Sequence, residues 1–285
     1  MQARSAESQR PTSVIVEAVA AAQRAAPAQP VPAAPPAGGD APAAEAIRFA
    51  RLAETGFFGP DADDPRRLSE IRYLKRAIIR GVTAELAQAP ANVIAITSAM
   101  PAAGKTYLAA SLGQALTLER DRSALLIDGD DVRCTLSKSL GQHGRLGFFD
   151  LLHDESLRSA DLIRPTDLSG LSFMATGGRY SDSHEMLTSQ RALAAVSALA
   201  AEDPSRLIII DCPPLLGTPN GASLAALAGQ VLVVVEAGVT DTETLKRALD
   251  LLGRERPVAL VLNKVPRTGM LSSRVGSYYY YGARD

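Results

Sequence analysis

Two kinds of hydrophobic pattern alternate along the chain from residue 65 onward. Short, nearly continuous apolar runs stand at Asn92–Thr97 (NVIAIT), Ser123–Asp128 (SALLID), Arg206–Asp211 (RLIIID), Gln230–Glu236 (QVLVVVE) and Pro257–Asn263 (PVALVLN), with a weaker one at Leu171–Ala175 (LSFMA). Runs of this length, rich in β-branched residues, predict strands buried on both faces. Between them apolar positions recur at helical spacing, which predicts helices over Gly104–Leu118, His184–Ala201 and Thr240–Leu252. A further helix is predicted from Pro65 to Gln88, where Ile71, Leu74 and Ile78 recur among charged residues. Doubly buried strands alternating with amphipathic helices predict an α/β fold, a mostly parallel sheet with helices on both faces. Ligands of such sheets sit at the carboxyl ends of the strands.

Residues 1–63 differ in kind. From Ala25 to Ala46 the chain is dominated by Ala and Pro, with Gly38-Gly39 inside the run. Such a stretch has little apolar surface to set against the entropy of ordering, so a disordered N-terminal region is expected over 1–63. A globular domain is expected over 64–266 and a flexible tail over 267–285. Ahead of the linker, Thr12-Ser13 followed by Val14, Ile15, Ala18 and Val19 reads equally as a frayed end or a docking peptide.

Composition narrows the function. The 285 residues carry 30 Lys+Arg against 31 Asp+Glu, a formal net charge of −1. This argues against nucleic acid as the main partner. Cys134 and Cys212 are too few for a disulfide framework or a zinc site. No apolar stretch reaches the roughly 20 residues of a membrane span, and Glu17 interrupts the one run resembling a signal peptide. A cytoplasmic location is expected.

The strand ends carry the chemistry. After the first strand comes Ser98-Ala-Met-Pro-Ala-Ala-Gly-Lys-Thr106, the second half of a phosphate loop, with Ala99 in place of the usual first glycine. Gly104 permits close backbone approach, the amides opening the helix point at phosphates, Lys105 adds positive charge and Thr106 offers a hydroxyl to Mg²⁺. The second strand ends in Asp128-Gly-Asp130-Asp131, acids that are costly to gather unless a cation or proton acceptor is wanted there. Another strand ends in Asp211, the usual place for a magnesium-ordering acid beside a phosphate loop. The last ends in Asn263, whose side chain is expected to meet a nucleotide base. Close to the end stand Tyr278, Tyr279, Tyr280 and Tyr281. Beside a nucleotide site, an exposed tyrosine cluster on a polar tail reads as a set of phosphate acceptors. Tyr107, just inside the helix, reads as packing rather than as an acceptor.

Together these residues resemble the bacterial tyrosine kinases (BY-kinases) of exopolysaccharide systems, P-loop proteins related to the MinD/ParA ATPases. The likeness covers about residues 65–285. It is strongest to the tyrosine autokinases of exosortase-associated loci, through Ser13–Val19, Gly147–Leu152, Gly229–Gly238 and Leu262–Lys264. The resemblance implies a P-loop NTPase fold that binds ATP and Mg²⁺. It assigns Ala102, Ala103, Gly104, Lys105, Thr106 and Tyr107 to the nucleotide-binding loop, with Asn263 nearby. Catalytic roles fall on Lys105, Asp128 and Asp130, either acid serving as the base, and metal binding on Thr106, Asp128 and Asp211. The tail tyrosines become acceptors phosphorylated in trans within a homo-oligomeric ring. Implied partners are a membrane polysaccharide co-polymerase (chain-length determinant) holding the protein at the inner membrane, and a cognate tyrosine phosphatase.

Two departures stand out. Asp131 intrudes where the family places basic residues, leaving Arg133. The family's inter-subunit helix motif appears as Ser69-x-x-Arg72-x-x-Lys75. The rival readings are a MinD/ParA-like switch ATPase without kinase activity and a non-catalytic nucleotide-binding module. The first lacks a use for the tyrosines, and the lysine such ATPases carry early in the loop is replaced by Ala99-Met100-Pro101.

Overall fold

The computed structural model describes residues 46–54, 65–82, 89–253 and 256–265. Its framework is a seven-stranded sheet of β1 (Val93–Ser98), β2 (Ser123–Asp128), β3 (Arg164–Pro165), β4 (Leu171–Met174), β5 (Arg206–Asp211), β6 (Gln230–Glu236) and β7 (Val258–Asn263). The spatial order is β3-β4-β2-β5-β1-β6-β7, and every pair is parallel except the edge pair β3–β4. The mostly parallel sheet read from the sequence is the one observed.

The apolar runs are continuous because successive residues enter opposite layers. Val93, Ala95, Leu125, Ile127, Ile208, Ile210, Val231 and Val233 share one core with α5 (Phe148–His153), α8 (Gln190–Glu202), α9 (Pro219–Ala226) and α10 (Thr242–Asp250). Ile94, Ile96, Ala124, Leu126, Leu207, Ile209, Leu232 and Val234 share the other with α2 (Pro65–Val82), α3 (Lys105–Leu116) and α4 (Thr135–Ser139). A one-residue slip of any inner strand would exchange its two faces between differently shaped layers.

The helix expected from Pro65 is present to Val82, and its expected continuation to Gln88 lies outside the described residues. Two expectations change. The helix expected over His184–Ala201 is two, α7 (Ser183–Thr188) and α8, because the Ser189 hydroxyl accepts from the Ala192 amide at 3.1 Å and caps a new start. The second concerns residues 46–54, which fall inside the region expected to be disordered. They instead lie along the sheet edge, entering α1 (Arg51–Glu54), with Ile47, Phe49 and Leu52 buried. The Ile47 amide donates to the Pro165 carbonyl at 2.9 Å, the Ile47 carbonyl accepts from Asp167 N at 2.9 Å, and the Phe49 amide donates to Asp167 Oδ1 at 2.7 Å. The open edge of β3 supplies these partners, and the three apolar side chains complete the second core. No local periodicity announces such a strap. The remaining residues of 1–63, and the tail 267–285 with its tyrosines, lie outside the described residues.

Candidate functional site

The site forms where the strand order reverses. From β1 the chain crosses over β5 to reach β2, and from β5 it crosses over β1 to reach β6. Loops leaving the carboxyl ends of β1, β2 and β5 therefore diverge and leave a crevice. The β1 loop is braced from below, since Thr97 Oγ1 donates to the Pro213 carbonyl at 2.8 Å and Ser98 Oγ to the Met100 carbonyl at 2.7 Å. Ala102 holds φ 68° and Gly104 φ 98°, the left-handed conformations that turn successive amides toward one point. A non-glycine residue held there stores strain, which is characteristic of binding loops. A Cβ at position 104 would lie 2.2 Å from Asn263 Nδ2.

Asn263 stands beside this loop. Its Nδ2 donates to the Ala103 carbonyl at 2.8 Å, so the amide supports the loop. Lys264, to which the sequence reading gave no role, donates to the Ala102 carbonyl at 2.8 Å and pairs with Glu236 at 3.0 Å. Its only signal was its place directly after the last strand. Tyr107 packs half-buried against the second core, in keeping with the packing role.

The three acids and the lysine converge. Lys105 Nζ lies 3.0 Å from Asp130 Oδ2, 3.6 Å from Asp211 Oδ1 and 3.4 Å from Thr106 Oγ1. Asp128 and Asp211 are register partners on adjacent strands. Lys105, Asp128, Asp130 and Asp211 are all buried, and two of the three carboxylates, Asp130 and Asp211, share the Lys105 ammonium. Asp128 is held from both sides, by the Ser137 amide at 2.7 Å on Oδ2 and the Asp130 amide at 3.3 Å on Oδ1. Asp130 Oδ1 accepts from the Arg133 amide at 2.9 Å. Neither Asp211 oxygen has a hydrogen-bond partner.

Burial dominates the titration of these groups. It pushes Asp211 up to about 7, with Lys105 opposing and the neighbouring Asp128 adding to the rise. Burial also raises Asp128, against the hydrogen bonds from Ser137. For Lys105, burial works against the ammonium, but Asp211 and Asp130 outweigh it and the net shift is upward. Cys212, beside Asp211, is buried and its thiol is raised by the same desolvation.

A divalent cation suits this donor set. An excess of buried carboxylate and two orphaned oxygens call for positive charge, and Thr106, Asp128 and Asp211 offer hard oxygen ligands. Among the described residues no three acidic, His or Cys side chains form a metal cage. Magnesium sites on nucleotides need none, because phosphate oxygens and water complete the shell.

Elsewhere the surroundings are structural. Cys134, itself left-handed at φ 48°, stands at the start of α4. Arg191 is engaged away from the loop, donating to the Leu152 carbonyl and pairing with Glu155. Lys75, at the position of the family's inter-subunit motif, is buried against its own chain, 3.3 Å from the Ala115 carbonyl and 2.5 Å from Glu119.

Loop, acids and strand order define a P-loop NTPase, and residues 91–145 match the adenylylsulphate kinase family model, which spans β1, the loop, α3 and β2. The fold is shared with the septum site-determining protein MinD of Pyrococcus horikoshii (TM-score 0.51, 23% identity, covering 62% of this chain and 71% of that one). It is shared also with the kinase domain of Escherichia coli tyrosine kinase ETK (TM-score 0.60, 19% identity, covering 79% and 85%).

Within that class the chain is similar to bacterial tyrosine kinases. It is 25% identical over 226 residues to the tyrosine-protein kinase YwqD of Bacillus subtilis, covering 78% of this chain and 90% of that protein. It is 27% identical over 197 residues to the tyrosine-protein kinase Wzc of Salmonella typhimurium, covering 68% of this chain. The chain spans only 18% to 27% of the length of the longer curated relatives.

Proposed function

We propose that the protein is a Mg-ATP-dependent protein-tyrosine autokinase whose acceptors are Tyr278 to Tyr281 of a neighbouring copy. The observation that carries this reading is the buried cluster of Lys105, Asp130 and Asp211 beneath the phosphate loop, in which neither Asp211 oxygen accepts a hydrogen bond and Lys105 stands 3.6 Å from one of them. In this reading the loop amides and Lys105 hold the β- and γ-phosphates, the ammonium leaving the acids as phosphate oxygens take their place. Thr106, Asp128 and Asp211 hold magnesium, which supplies neutralisation of phosphate charge. A phenol of pKa about 10 is a poor nucleophile at neutral pH, so a carboxylate must take its proton. Asp130 or Asp128 fills that role. The phenolic oxygen bonds to the γ-phosphorus, the bond from that phosphorus to the bridging oxygen breaks with its electron pair leaving on ADP, and the phenolic proton passes to the carboxylate. The rest is positioning.

Several relatives are named tyrosine kinases, and one is named a succinoglycan biosynthesis transport protein. They support a role in exopolysaccharide output through a membrane co-polymerase partner. No helix among the described residues is long and apolar enough to cross a membrane, so anchorage through that partner is part of the proposal. Each phosphate adds about −1.5 to −2 charge, so a phosphorylated tail would leave an acid-lined site and open the ring. A cognate phosphatase would close the cycle.

Trypsin cuts after Arg274 and Arg284 and releases Val275 to Arg284 with all four tyrosines. Phosphatase-treated protein is incubated with Mg-ATP and the cytoplasmic fragment of its co-polymerase, beside Lys105→Ala, and that peptide is weighed. Added phosphate in the wild type alone is expected. An unmodified peptide despite steady ATP turnover would overturn the kinase reading in favour of a switch ATPase.

A further inference from the structure

Asp131 is the acid that the family pattern does not ask for, and the structure gives it a distinct set of contacts. Its Oδ2 accepts from Asn220 Nδ2 at 2.9 Å and from Ser183 Oγ at 3.1 Å. Asn220 Nδ2 also lies 3.0 Å from Ser183 Oγ, so the three side chains close a triangle. Asn220 and Ser183 are both buried. Arg179 adds a hydrogen bond from Nε to the Asp131 carbonyl at 3.0 Å and another to the Val132 carbonyl. The segment after β2 is thereby tied to the loop after β4, the start of α7 and the start of α9, each at the carboxyl side of the sheet.

The tie acts on the residue that matters. Asp130, directly before Asp131, reaches Lys105 with one oxygen and the Arg133 amide with the other. On its other side Gly129 donates to the Asp211 carbonyl at 2.9 Å, and a Cβ there would stand 2.9 Å from Ile210 Cγ2. Asp130 therefore sits between two fixed points, the backbone of β5 and the Asp131 triangle. Release of the second leaves a turn whose carboxylate is aimed only by its local hydrogen bonds. Reaction rates fall steeply with such displacement, about 100-fold for an ångström.

We propose that Asp131, through Asn220 and Ser183, is a positioning residue that fixes the carboxylate of Asp130 for phosphoryl transfer. This rests on the kinase reading above, and it assigns α9 a part in the reaction that no phosphate-loop motif predicts.

The test is a reciprocal exchange in the full chain. Asn220→Asp places two carboxylates at hydrogen-bond distance, which repel and open the triangle. Asn220→Asp combined with Asp131→Asn restores a donor and an acceptor with their places exchanged. Two readouts are taken: kcat and KM for ATP in phosphorylation of the 275–284 peptide region with magnesium and the co-polymerase fragment, and hydrogen exchange of the 129–134 amides. The single variant is expected to lose about 10-fold to 100-fold in kcat with KM for ATP changed less than about threefold, and to lose protection at 129–134. The double variant is expected to regain most of both. Asn220→Ala, which removes one donor without adding a charge, is expected to fall between and serves if the Asp variant does not fold.

A double variant that stays as slow as the single one would overturn the positioning role, as would Asn220→Ala with wild-type kcat and exchange. A parallel rise in KM and fall in stability without rescue marks a merely structural contact and overturns it as well. Wild-type protein that leaves the 275–284 peptide unmodified in the presence of the co-polymerase fragment refutes the kinase reading itself, and with it any role of the triangle in tyrosine phosphorylation, whatever the exchange shows.

Discussion

Replacing Lys105 by Met removes a buried cation from between the buried acids Asp130 and Asp211, with Asp128 alongside. The side chain is 6% exposed, and Asp130 and Asp211 lie 3.0 and 3.6 Å from its nitrogen. Removing one member of a buried ion cluster costs about 3–5 kcal/mol, because the remaining charges lose their partner in a medium that solvates them poorly. For a domain of this size that corresponds to a fall in Tm of about 10 °C. The cost depends on pH in a defined direction. Asp211 is pushed up to about 7 in the fold, above its unfolded value of about 4, so folding favours its protonated form. That contribution is full below the unfolded value and is lost as pH rises through about 7. Without Lys105, which opposes the rise, the folded value climbs further and the variant loses stability more steeply toward alkaline pH. Urea melts followed by circular dichroism at pH 5.5, 7 and 8.5 should therefore show a small difference from wild type at the acid end and the full difference at pH 8.5. Adding Asp211→Asn should recover a large part of it. A variant within about 0.5 kcal/mol of wild type at pH 8.5, or a difference that does not change with pH, would refute the argument that these groups form one charge-compensated cluster.

Two further substitutions test the loop and the strap. Gly104→Ala puts a methyl 2.2 Å from Asn263 Nδ2 at a φ of 98°, so it strains the backbone and displaces the amide that supports Ala103. A left-handed alanine costs about 1–2 kcal/mol, and titration with a fluorescent ATP analogue should show about 10-fold weaker binding. Phe49→Ala removes a ring that is 2% exposed from the second core, and chemical unfolding should register a loss of about 3–5 kcal/mol. A loss below about 1 kcal/mol would mean that the strap is not part of the cooperative unit.

The parallel sheet was legible from residue order alone. Strands such as Ile208 to Ile210 are apolar at every position because each is covered on both faces, and that requirement acts on consecutive residues. The chemistry was legible where it stands directly beside a strand end, as with Lys105, Asp128 and Asp211. What lies between separate strand ends was not. The support that Asn263 gives the loop was hidden, because its neighbours in sequence say nothing of Gly104, which the fold brings against it from 159 positions away. The residues of 46–54 looked like linker because their partners are Pro165, on an edge strand of only two residues, and Asp167 just beyond it. Asp131 read as one more acid of the strand-end group, and only the segments following β4 and β5 bring Ser183 and Asn220 to its carboxylate. Periodicity and motif spacing report on forces that act within about one turn of chain. Which orphaned donor meets which acid is decided by the order of the strands, and only the folded sheet determines that order.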